Sequence, residues 1–68
     1  MIVELNGQRV ELADDATVRD AATRAGVDGD LKGVAVALDG EVVPRGEWAE
    51  TRLHEGQSVE VVAAIQGG

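Results

Sequence analysis

Asn6-Gly7 lies between two short alternating runs, residues 2–5 and 8–12, and no other feature constrains the fold of this chain as tightly. An Asn-Gly pair supplies both positive-φ positions of a type I′ turn, whose twist suits the strands that it joins. A two-residue hairpin then sets the register by counting outward from the turn. Leu5 faces Gln8, Val3 faces Val10 and Met1 faces Leu12 on one side, while Glu4 faces Arg9 and Ile2 faces Glu11 on the other. The first side is predicted to be core. The second is predicted to be mostly wet, with an opposite-charge pair across it.

Thr17 and Asp20 have the spacing of a capping box, with Asp where Glu or Gln is usual, and predict a helix over residues 18–25. Val18, Ala21, Ala22 and Ala25 fall on one stripe of it; Arg19, Asp20, Thr23 and Arg24 fall on the other. A stripe made mostly of alanine lets the helix lie close to a sheet. Gly26 offers the left-handed position past the helix end and Val27 the apolar contact that often follows. Residues 28–33 read as a glycine-punctuated connection, because Gly29, Lys32 and Gly33 match no phosphate-loop spacing. A second hairpin follows, with strands at 34–38 and 41–43 around Asp39-Gly40, and Pro44 ends it for want of an N–H. Residues 45–50 are expected to make a single turn that lays Trp48 over one end of the core. His54, beside Glu55, sits in a polar turn at 54–57 and reads as a solvated loop histidine.

The last strand is expected over residues 58–65. Alternation places Val59, Val61, Ala63 and Ile65 against the helix and Ser58, Glu60, Val62 and Ala64 on the open face. The open set begins polar and turns apolar toward the C-terminus, which marks Val62 and Ala64 as candidate partner-binding residues. The order β, β, α, β, β, short turn, β is that of an α+β, ubiquitin-like β-grasp: a mixed sheet of four to five strands packed on one helix. Residues 1–65 are expected to form that domain and residues 66–68 a flexible tail.

Of the thirty apolar residues ten are alanine and one is aromatic, a supply that sustains one helix on one sheet and little more. A packed radius of gyration of roughly 11 Å leaves no room for a deep catalytic cavity of several hundred cubic ångströms. Most enzymes are therefore set aside. Six Lys and Arg against 13 Asp and Glu give a formal charge of −7, so the basic patch and stacking platforms of a nucleic-acid binder are missing. The chain has no cysteine and one histidine, so no redox pair or zinc centre is expected, and no cofactor is implied. The longest apolar runs, 34–38 and 61–65, fall far short of the ~20 residues of a membrane span. Residues 1–5 also lack the basic region of a signal peptide. The expected location is the cytoplasm.

Gly67-Gly68 is the one feature that a bland domain does not need. Two residues without Cβ let an extended tail thread a narrow channel, and with Gln66 the tail reaches roughly 10 Å at ~3.3–3.6 Å per residue. A terminal carboxylate with a pKa near ~3.5 is ionised at neutral pH and can attack the α-phosphate of ATP without a base from this chain.

Nearly the whole chain resembles the ThiS sulfur-carrier family of thiamine thiazole biosynthesis. The resemblance rests on Asn6-Gly7, on Thr17-Val18 opening the helix, on the run from Val34 through Asp39-Gly40 to Val42-Val43-Pro44-Arg45 with Trp48 beyond it, and on Gly67-Gly68. The alanine-rich Asp20-Ala21-Ala22-Thr23 departs from the bulkier leucines common in the family. The resemblance implies that Gly68 is adenylated by an E1-like, ATP-dependent enzyme, that a persulfide donor converts it to a thiocarboxylate, and that thiazole synthase takes the sulfur. The protein is then a covalent carrier and no catalyst. A molybdopterin-type carrier, a protein-conjugating modifier and a non-covalent β-grasp interaction module stand as alternatives.

Overall fold

The structure, a computed structural model, describes residues 1–25 and 33–63. Asn6 and Asp39 take left-handed backbone, with φ of 51° and 50°, and each precedes a glycine, Gly7 at 82° and Gly40 at 87°. Both Xaa-Gly pairs thus make the positive-φ turns that their side chains tolerate. The first joins β1 (Ile2–Leu5) to β2 (Gln8–Glu11) in the counted register, Leu5 opposite Gln8 and Val3 opposite Val10. The Leu12 N–H donating to the Met1 carbonyl at 2.9 Å carries the pairing one step further. The second turn joins β3 (Val34–Leu38) to β4 (Glu41–Val42). β4 stops one residue before the expected end, although the Val43 N–H still donates to Val36 at 2.8 Å before Pro44 withdraws the next donor.

Thr17 and Asp20 form the reciprocal cap that their spacing predicts. The Thr17 N–H donates to Asp20 Oδ2 at 2.8 Å and the Asp20 N–H to Thr17 Oγ1 at 3.4 Å. Two further donors at the start of α1 (Val18–Arg24) are met from outside the helix, Val18 by the Thr51 carbonyl and Arg19 by that of Trp48. Ala25 is the C-cap and not, as expected, the last helical residue. Gly26 and Val27 lie outside the described residues, as does the expected connection apart from Gly33.

The sheet has five strands in the order β2-β1-β5-β3-β4, with β5 (Ser58–Ala63) central. It pairs parallel with β1 and antiparallel with β3, so the sheet is mixed. One face packs on α1 through Val3, Leu5, Val36, Val59 and Val61 against Val18, Ala21 and Ala22. Trp48 closes one end of this core at 2% exposure, its indole N–H donating to the Val43 carbonyl at 2.9 Å. The turn that carries it is a 3₁₀ turn over Arg45–Glu47, shorter than expected, and the Arg45 guanidinium lies over the indole, 5.4 Å from the ring centroid.

Ala63 breaks the expected alternation: it is exposed, not packed on the helix. Ala63 lies opposite Val34, the first residue of β3, and the pairing with β1 has already ended at Leu5↔Val59, so it sits at the end of the sheet with few neighbours to cover it. Residues 64 and 65 of the expected strand lie outside the described residues.

Candidate functional site

Residues directly opposite each other on paired strands share a face, so the pairings Ala35↔Val62, Ala37↔Glu60 and Ala37↔Val42 map the sheet face turned away from α1. Ala35, Val42 and Val62 are exposed there, Val42 by 73% and Val62 by 60%. On the other flank the same face carries Glu4 opposite both Arg9 and Ser58, and Glu11 opposite Ile2. The open face is thus divided into an apolar half on β3, β4 and β5 and a charged half on β1 and β2, with Glu60 at the boundary.

Val62, singled out from the sequence, lies in the apolar half. Ala64, Gln66, Gly67 and Gly68 fall outside the described residues, so their geometry relative to this face is not described. Val42, Ala35 and Ala37 were not singled out. Their signal was present, because the second hairpin's turn sets Val42 opposite Ala37 just as the first sets Val3 opposite Val10.

Around the edge of β4 runs an open groove of about 310 Å³ between Leu38, Val43 and Pro44, rimmed by Asp39, Glu41 and Glu47. It is a surface cleft between the second hairpin and the turn at Arg45–Glu47, open to solvent, and not the deep catalytic cavity that the length of the chain sets aside. Its volume is at the small end for a ligand pocket. Asp39 is occupied structurally, accepting from the Ser58 N–H and Gln57 Nε2 at 3.0 Å each. His54 is exposed, and no group of residues suited to a metal ion occurs among the described residues. Among them, no helix is long and apolar enough to cross a membrane.

The family model described as the ThiS family matches residues 3–68. The chain belongs to the ThiS family. It is 40% identical over 67 residues to the sulfur carrier protein ThiS of Thermus thermophilus, covering 98% of this chain and all of that one. It is 32% identical over 68 residues to a thiazole synthase of Paramagnetospirillum magneticum, and spans 20% of that protein's length. The crystal structure of the thiamine biosynthesis protein ThiS from Geobacter metallireducens superposes with a TM-score of 0.78 at 27% identity, with both chains fully covered. SAMP1 from Haloferax volcanii, 22% identical over 98% of this chain and 97% of its own, shares the fold with a TM-score of 0.60. This ThiS-family chain therefore has the ubiquitin-like β-grasp architecture expected from its order of elements.

Proposed function

We propose that this chain is a sulfur carrier for thiamine thiazole formation, with Gly68 as the residue that is modified. The observation that carries the reading is the family match, which runs through the last strand to Gly67 and Gly68. A carboxylate oxygen of Gly68 attacks the α-phosphorus of ATP in an E1-like enzyme; pyrophosphate leaves and an acyl-adenylate forms. The terminal sulfur of a persulfide then attacks the acyl carbon and displaces AMP. A thiol cleaves the resulting acyl disulfide, forming a new disulfide with the donor sulfur and leaving the thiocarboxylate on Gly68. Thiazole synthase is the acceptor of that sulfur, and a thiazole synthase that contains a segment like this chain supports the pairing.

In this scheme the protein is a co-substrate, and the catalytic groups belong to its partners. Val62 and Ala64 form the grip beside the tail, and Gln66 and Gly67 thread the channel that leads to the nucleotide. Deleting Gly68, or extending the chain past it, abolishes ATP–pyrophosphate exchange with the adenylating enzyme while the thermal unfolding curve stays in place. Gly67→Val abolishes it sterically. Unchanged exchange in the deletion variant rules the reading out. Intact mass after incubation with both enzymes and a persulfide source separates the alternatives. One oxygen replaced by sulfur marks the carrier, adducts on other proteins a conjugating modifier, and an unaltered mass a non-covalent module.

A further inference from the structure

We infer that Asn6 is a positioning residue for the C-terminal tail, acting through Val61; this role rests on the adenylation reading above. β1 ends at Leu5 because the chain turns at Asn6-Gly7, so the parallel β1–β5 ladder has only the pairs Glu4↔Ser58 and Leu5↔Val59. Its rungs include the Glu4 N–H donating to the Gln57 carbonyl and the Asn6 N–H donating to the Val59 carbonyl, each at 2.9 Å. Parallel rungs are evenly spaced, and the next one calls for an acceptor from residue 6 opposite the Val61 N–H. The left-handed backbone of Asn6 turns the main chain away from β5 there.

The side-chain carboxamide takes the vacant place. The Val61 N–H donates to Asn6 Oδ1 at 2.8 Å, and Asn6 Nδ2 donates to the Val61 carbonyl at 3.2 Å. On the opposite edge Val61 faces Val36 in the antiparallel pairing with β3. The central strand is therefore gripped from both sides two residues before its end at Ala63. The strand is held on both edges as far as Val61 and on the β3 edge to Ala63, so the Asn6 bonds set the direction in which it runs out to Ala63. Glycine or aspartate would satisfy the turn as well as asparagine does, yet only the carboxamide offers a donor and an acceptor together.

Two variants separate the turn from the grip. Asn6→Gly keeps the left-handed turn and removes both bonds; Asn6→Asp keeps the acceptor for the Val61 N–H and loses the donor. Amide hydrogen exchange at Val61, referenced to Val3 and Val36, reads the grip directly, and ATP–pyrophosphate exchange with the E1-like enzyme reads its consequence. In Asn6→Gly the Val61 amide exchanges faster while Val3 and Val36 hold, and kcat falls roughly tenfold at unchanged KM, because reach is misdirected while the docking face is intact. Asn6→Asp lies between. A purely structural role lowers the melting temperature and leaves kcat of the folded variant unmoved. Asn6→Gly with wild-type kcat overturns the role of Asn6, as does Asn6→Asp with wild-type kcat should the glycine variant fail to fold. A wild-type chain that supports no exchange overturns the adenylation reading itself, and this role with it.

Discussion

At the scale of single residues, the Met1 ammonium is a group whose protonation the fold perturbs. It donates to the Leu12 carbonyl at 2.8 Å and to Asp14 Oδ1 at 3.0 Å. The Asp14 hydrogen bond, with the charges of Asp14, Glu55 and Glu11 in support and desolvation in opposition, raises its pKa above the ordinary 8.0. A folded pKa above the unfolded one means that the stabilisation is fully present below about pH 8 and is lost as pH rises through the folded value. Asp14 is 97% exposed, so the effect is small and salt-sensitive. Asp14→Asn is expected to bring the ammonium back toward its ordinary value and to flatten the alkaline limb of a urea-midpoint profile. An identical alkaline loss in wild type and variant rules this out.

At the scale of elements, α1 shows what an alanine stripe does. Ala21 and Ala22 are both 0% exposed, in one core cluster with Val3, Val36, Val59 and Val61 of the sheet. The short side chains let the helix approach closely, so they are a packing solution and leave no void for a larger residue to fill. Ala22→Leu is expected to cost about 1–3 kcal/mol by overpacking, a large share of the ~3–10 kcal/mol that a chain of this size commands. A urea midpoint at or above wild type contradicts that geometry. The cap, the stripe, both hairpins and the register of the first were legible because each is decided within about ten residues. The parallel pairing of β1 with β5, the bridge between Thr17 and Arg52, and the burial of Ala16 and Leu53 were not. They join segments far apart in sequence, and local alternation carries no trace of which distant strand will lie alongside. Alternation likewise misassigned Ala63, because the period of a strand does not say where its neighbours on the sheet end. Of the candidate site, Val62 was read correctly as exposed. Asn6 was read only as a turn residue, because its second role depends on where Val61 comes to lie.

At the scale of the whole molecule, the two faces of the sheet divide the work. One holds the fold together through Val3, Val36, Val59 and Val61, and the other leaves Val62 and Val42 to solvent. Val62→Asp is therefore expected to leave the melting temperature within a few degrees of wild type while weakening binding to the adenylating enzyme or to thiazole synthase at least roughly tenfold, the cost of burying an unpaired charge at a contact. Titration calorimetry checks it, and normal binding to both partners removes Val62 from the docking surface. With a formal charge of −7 the chain attracts basic surfaces, so association with either proposed partner is expected to slow as salt is added. The central position of β5 has a mechanical consequence as well. If a partner draws on the chain beyond Ala63, as the proposed function requires, the tension is expected to run along a strand bonded on both edges, to β1 and Asn6 on one side and to β3 on the other. A load along the strand is expected to shear its rungs together and not to peel them one at a time, so the same bonds that place β5 at the centre of the sheet would also resist its withdrawal.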